Sequence, residues 1–130
     1  MTTTLSWRLW VFLGVLSGFL SVSIGAFGAH ALKPFLDPSS LQTFETAARY
    51  QFYHALALIL LGLYSERTDS KKSYLITGLG FSLGTLLFSG SLYALSISGI
   101  KELGLITPIG GVLFLIGWLF WIKNILQQKS

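Results

Sequence analysis

Arg49-Tyr50-Gln51-Phe52-Tyr53-His54 places a fixed cation, an amide, two phenols and an imidazole directly before the unbroken apolar run Ala55–Leu63. A guanidinium offers paired donors to a carboxylate or phosphate, and an imidazole can donate, accept or relay a proton. Ionisable groups are costly in a membrane helix, so those that occur tend to face protein or water and become functional candidates. Groups of comparable chemistry occur at His30, at Ser89, Ser91 and Tyr93, and at Thr107.

Composition determines what must hold these residues. Of 130 residues 52% are hydrophobic and only 11% charged, and the mean hydropathy is +0.68, far from a soluble globular average. A single-domain integral membrane protein of the inner or plasma membrane, crossing it several times, is expected. The net charge of +4 does not point to nucleic acid, because Lys and Arg sit between apolar runs and not on one face among aromatics. With no cysteine, a disulfide, a thiolate nucleophile and a thiolate metal ligand are all excluded.

The run Leu9–Ala29 has no charged residue or histidine, and its length of roughly 31 Å matches a bilayer core, giving a first span over 8–30. Arg8 and Ala29-His30-Ala31 imitate the flanks of a signal peptide, but the apolar run exceeds a signal core of about 7–15 residues. Gly14, Gly18, Ser21, Gly25 and Gly28 recur at steps of four and three, forming a seam of small residues that admits another helix. Lys33-Pro34 and Asp37-Pro38 then break the helix. With Ser39 or Ser40 as N-cap, the second helix spans 41–65; Leu41 to Arg49 forms an interfacial lead-in with Leu41, Phe44 and Ala48 on its apolar side. The charged stretch Glu66–Lys72 is an aqueous turn. A third span over 73–98 contains the small-residue pairs Gly80 with Gly84 and Gly78 with Ser82. Thr107-Pro108 reads as N-cap and first residue of a fourth span over 107–124. The expected fold is all-α, a bundle of four transmembrane helices in two hairpins.

Arg8, Arg67, Lys71, Lys72, Lys123 and Lys129 flank one side of these spans, and Lys33, Arg49 and Lys101 the other. The excess places the N- and C-termini in the cytoplasm, and Trp7, Trp10, Trp118 and Trp121 fall in the belt at that end. His30, Arg49 to His54, Ser89, Ser91, Tyr93 and Thr107 then converge at one depth on the outer side. On α-helical spacing Glu45, Arg49 and Tyr53 share one stripe, with Tyr50 and His54 on a stripe beside it.

Four motifs, Gly25-Ala-Phe-Gly-Ala-His-Ala-Leu32, Gln51-Phe-Tyr-His-Ala-Leu56, Phe88-Ser-Gly-Ser-Leu-Tyr93 and Thr107-Pro-Ile-Gly-Gly111, resemble domain-of-unknown-function family 423. That family includes the YgdD/YwdK-type bacterial inner-membrane proteins and the eukaryotic transmembrane protein 256. The resemblance covers almost the whole chain and implies a small four-helix membrane protein, with no reaction attached.

Each candidate also has a plain structural role. Arg49 can snorkel and pair with Glu45, His30 can cap carbonyls of the first helix, and His54 can bond a neighbouring helix. Ser89 and Ser91 can return bonds to backbone, and Tyr50, Tyr53 and Tyr93 can sit in an aromatic belt. Two histidines with few carboxylates provide no metal-ligand spacing, and no cofactor is expected. A Ser-His hydrolase would need Ser89 or Ser91 beside a histidine, and the nucleophile-elbow motif is missing; an enzyme is not expected. A transporter component would place ionisable groups at mid-depth, whereas these cluster at one end. The leading expectation is binding of an anionic lipid or amphiphile in an outer pocket formed by His30, Arg49, Tyr50, Gln51, Tyr53, His54, Ser89, Ser91, Tyr93 and Thr107. The alternative is an accessory or structural subunit, in a homo-oligomer or a larger membrane complex.

The orientation is testable with single cysteines in intact cells. Cysteine at Ser70 or Ser130 should resist an impermeant thiol reagent and cysteine at Ser40 should react; labelling at Ser70 but not Ser40 would invert the topology.

Overall fold

The computed structural model describes the backbone of residues 2–68 and 71–128 and the side chains of 7–68 and 74–128. Asp69, Ser70 and Lys129-Ser130 lie outside the described residues. Helix α1 runs Thr2–Val22, widens into a π turn over Ser23–Gly28 and returns to α geometry over Ala29–Leu32. α2 is Pro38–Glu66, α3 is Lys71–Ser98, and a 3-10 turn over Lys101–Leu105 leads into α4, Thr107–Gln127. Among the described residues there is no strand.

Two helix starts and one helix interior correct sequence expectations. Asp37, not Ser39 or Ser40, caps α2: its carboxylate accepts the Ser40 N–H at 2.7 Å and Pro38 occupies the first turn. A carboxylate there also complements the positive helix end, and proline loses only an N–H without an intrahelical acceptor. Thr107 begins α4 instead of capping it, and its hydroxyl bonds Ser91 across to α3 at 2.6 Å. The first span is interrupted by a π turn that the unbroken apolar run did not signal. α3 stops at Gly99, whose φ of +71° suits only glycine at little cost and whose N–H returns to the Leu95 carbonyl at 2.8 Å.

Close approach of backbones fixes the neighbours. A Cβ on Gly14 would lie 2.6 Å from the Ala55 carbonyl oxygen, and one on Gly62 would lie 2.7 Å from that of Trp7, so α1 and α2 meet antiparallel along most of their length. Gly25 faces Ala48 and Gly28 faces Phe44 in the same interface. α3 and α4 repeat the device: Gly80 approaches the Leu113 carbonyl, Gly84 lies under Phe114, Gly117 faces Phe81 and Thr77, and Gly110 abuts the Phe88 backbone. Gly18 differs, with Ala55 Cβ at an ordinary 3.8 Å, and Ser21 returns its hydroxyl to the Gly18 carbonyl.

α2 therefore lies between α1 and α3, with α4 beyond α3. Trp10, Ala57, Leu58, Leu61, Tyr74, Phe81 and Phe114 form the core, while Phe12, Phe19, Leu86, Leu115 and Leu119 are exposed to lipid. Three segments, Trp7–Leu32, Tyr74–Ser98 and Lys101–Gln127, are long and apolar enough to cross a membrane. α2 is more polar, yet it connects α1 to α3. Trp10 packs on Gly78 near the start of both of those helices, so they run the same way and α2 must return across the same thickness.

The glycine contacts are unequal, and stability should report this. Gly14→Leu or Gly110→Leu should cost more than Gly18→Leu in thermal unfolding in detergent, on the order of 1–3 kcal/mol for overpacking at the tight sites. Equal losses at all three would contradict the close contacts.

Candidate functional site

The polar stretch of α2 divides by helical phase. Gln51 and His54 fall on the buried face with Ala47, Ala55 and Leu58, whereas Arg49, Tyr50, Phe52 and Tyr53 are exposed. Gln51 ties three helices together. Its Oε1 accepts the Tyr93 hydroxyl of α3 at 2.7 Å, and its Nε2 donates to the Ser17 carbonyl of α1 at 3.3 Å. Phe44 closes the same junction edge-on to Tyr93, with centroids 5.1 Å apart.

His54 is enclosed more fully. Nδ1 lies 2.9 Å from the Tyr50 carbonyl, and Nε2 lies 3.1 Å from the indole Nε1 of Trp118. An indole N–H only donates, so Nε2 must accept and Nδ1 must hold the proton: the ring is the neutral Nδ1–H tautomer, assigned from its partners. Its face stacks on Phe114 at 3.5 Å and 7°, and Phe81 meets its edge at 5.3 Å.

Tyr50 packs on Phe88, which abuts Gly110 near the start of α4. Arg49 is thus level with the first turn of α4, at the outer rim. From Arg49 to Glu66 the helix rises roughly 26 Å, close to a bilayer core once long side chains reach outward. The lead-in Pro38 to Ala48 projects beyond that level. His54 is level with Phe114, roughly 8 Å inside the rim.

The ten residues expected to line one outer pocket therefore separate. Gln51, Tyr93, His54, Ser91 and Thr107 enter bonds between or within helices, the last two to each other. Ser89 is buried with its hydroxyl unpartnered. Arg49, Tyr50 and Tyr53 form an exposed shoulder, Tyr50 meeting Tyr53 at 5.7 Å. His30 is exposed past the Gly28–Phe44 contact, away from the others. The pairing of Glu45 with Arg49 does not form: both are exposed, with no ion pair. No serine hydroxyl among the described residues bonds a histidine, and no cluster of three metal-ligating side chains forms among them.

A family model for a protein of unknown function, DUF423, matches residues 24–111. The chain belongs to the DUF423 family. It is 44% identical over 115 residues to a UPF0382 membrane protein of Staphylococcus aureus, covering 88% of this chain and 93% of that protein. It is 39% identical over 112 residues to the UPF0382 membrane protein YwdK of Bacillus subtilis, covering 86% and 91%. The UPF0382 inner membrane protein YgdD of Escherichia coli is 36% identical over 122 residues, covering 94% and 92%. No solved structure matches. The protein is thus a small membrane protein of an uncharacterised family. The DUF423 match includes His30, the α2 stretch, Ser89 to Tyr93 and Thr107, and ends before Phe114 and Trp118.

Those last two residues, and Ser17, were missed in the sequence. Gly110, Phe114, Gly117, Trp121 and Asn124 recur at steps of four and three, which marks the buried face of α4; Trp118, one residue beside that stripe, borders it. Trp118, expected in the inner aromatic belt, keeps its ring 41% exposed while its indole N–H turns toward α2 and donates to His54.

A double-mutant cycle tests the α2–α3 tie. Gln51→Leu should destabilise by about 1–3 kcal/mol, because the Tyr93 hydroxyl is left without its acceptor. Adding Tyr93→Phe should recover much of that loss in thermal unfolding; strictly additive losses would show that the bond carries no coupling.

Proposed function

We propose that the protein is a non-catalytic membrane component that holds anionic amphiphiles at its outer rim through Arg49, with Tyr50 and Tyr53 forming the apolar shoulder beneath. The supporting observation is a contrast within two turns of one helix. Gln51 and His54 are committed to helix contacts, whereas Arg49 stays exposed and without an ion pair.

A guanidinium fork matches phosphate or carboxylate oxygens in two bonds. Tyr50 and Tyr53, 39% and 51% exposed, offer ring faces to the first methylenes of a chain. His30 lies too far out to join them. The non-catalytic part of the reading is supported by the way His54 is used: both nitrogens are engaged, and neither meets a hydroxyl nucleophile.

Native mass spectrometry with added phosphatidylglycerol tests the reading. Arg49→Gln should weaken binding at the rim about ten-fold or more, as expected for one charge-assisted hydrogen bond, while His54→Phe should leave lipid occupancy unchanged. The same number of bound lipids at the same affinity in Arg49→Gln as in the unaltered protein would remove the amphiphile reading. A stoichiometric protein partner retained in mild detergent would then favour the accessory-subunit alternative.

A further inference from the structure

At the inner end of the bundle all four helices contribute to one cluster: Trp10 from α1, Tyr64 from α2, Tyr74 from α3 and Trp121 from α4. Part of it is a chain of hydrogen bonds. The Tyr64 hydroxyl donates to Gln128 Oε1 at 2.6 Å, the Thr68 hydroxyl donates to the Tyr74 oxygen at 2.6 Å, and Gln128 Nε2 reaches that oxygen at 3.4 Å.

Beside this network three donors have no acceptor: the indole N–H groups of Trp10 and Trp121 and the amide nitrogen of Asn124. Trp10 and Asn124 are 2% and 3% exposed. Trp10 lies on Gly78, one turn from Tyr74 on the same face of α3. Asn124 follows Trp121 by one turn of α4, and the register set by Gly84 on Phe114 brings it level with Tyr74. In a bilayer, where no solvent can take up a freed donor, each such group is expensive. An indole offers only a donor, so a ligand that satisfies this set must be an acceptor.

Charge at the rim narrows the class. Arg8 lies over the Trp7 ring and Lys123 over that of Phe120, each at 5.5 Å, and Arg67 is exposed nearby. Glu66 is the one acidic side chain described at this rim. An anionic acceptor, with several oxygens and no proton to give, fits both the donors and the field.

The way α4 is held supplies an entry. Over its outer two-thirds the α3–α4 contact is closed by backbone approach at Gly80, Gly84, Gly110 and Gly117. In the inner third side chains meet, Gln128 Nε2 reaching the Tyr74 oxygen at 3.4 Å and the Trp121 ring lying 6.1 Å from that of Phe81. As the end helix of the row, α4 can part its last turns from α3 without disturbing the glycine contacts.

We propose that the inner end of α4 is a binding site for a phosphate group, entered by outward displacement of its last two turns, with Trp10, Trp121 and Asn124 as donors and Arg8 and Lys123 as flanking cations. Two sources present that chemistry at the inner face, a phospholipid head group and free phosphate. The site is separate from the outer rim, and neither proposal depends on the other.

The test uses full-length Arg49→Gln, so that the outer rim does not contribute, and the same protein with Asn124→Leu added, both in neutral detergent. Each is titrated with phosphatidylglycerol and, separately, with inorganic phosphate, and followed by native mass spectrometry and tryptophan emission. Saturable phosphatidylglycerol binding is expected, weakened roughly ten-fold by Asn124→Leu. The lipid-free melting temperature should stay equal or rise, because leucine removes an unsatisfied buried amide. Saturation by inorganic phosphate as readily as by lipid would assign the site to the free anion. Absence of binding to both, or equal affinity with and without Asn124→Leu, would overturn the proposal. If Asn124→Leu does not fold, Trp121→Phe, which keeps a ring and removes the donor, provides the same comparison by mass spectrometry.

Discussion

Trp118 of α4 donates its indole N–H to His54 of α2 across 3.1 Å, and Phe114 stacks on the same imidazole at 3.5 Å. Helices in a bilayer gain little by burying apolar surface against one another, because lipid tails are as apolar as leucine. Association rests on dispersion contact between close surfaces and on polar bonds that lipid cannot offer. Glycine supplies the first along α1–α2 and α3–α4. His54 supplies the second where no glycine contact exists, between α2 and α4, with its other ring nitrogen on the Tyr50 carbonyl of its own helix and aromatic rings around the rest. With Gln51 bridging Ser17 and Tyr93 nearby, the two hairpins become one bundle.

The same constraint explains why the outer polar residues do not form a pocket. A polar side chain that turns inward in lipid must find a partner or pay desolvation, and the helix phase of α2 turns Gln51 and His54 inward while keeping Arg49 and Tyr53 out. Residues adjacent in sequence thereby acquire different roles: two act as struts, and one remains a free cation at the rim. The inner end shows the opposite condition, with donors turned inward and no acceptor brought to them.

Much of the fold was legible in the sequence because length and apolarity are the variables that a bilayer selects. The four helices and the proline breaks follow from them, as does the polar lead-in of α2; the turn expected over Glu66–Lys72 is shorter, because α2 runs to Glu66 and α3 begins at Lys71. The π turn at Ser23–Gly28 was not legible, since small apolar residues support either winding. Asp37 was passed over as the N-cap because the two serines also satisfy the cap rule. The candidate site was legible as residue types but not as geometry. Depth along the axis was inferred from span ends, whereas the side-chain partners of His54 depend on how α4 slides against α3 and α2. That register is fixed by Gly110 and Gly117 against Phe88, Phe81 and Thr77, contacts between residues far apart in sequence.

The most direct measurement of this arrangement is the 15N spectrum of the His54 imidazole in histidine-labelled protein in lipid nanodiscs, with His30→Gln used to assign the signals. The expected result is a neutral ring with Nδ1 protonated and Nε2 bare and hydrogen-bonded, the latter shift changing in Trp118→Phe. A ring protonated at Nε2, or one whose shifts ignore the loss of the Trp118 indole, would contradict the placement of His54 as the tie between α2 and α4.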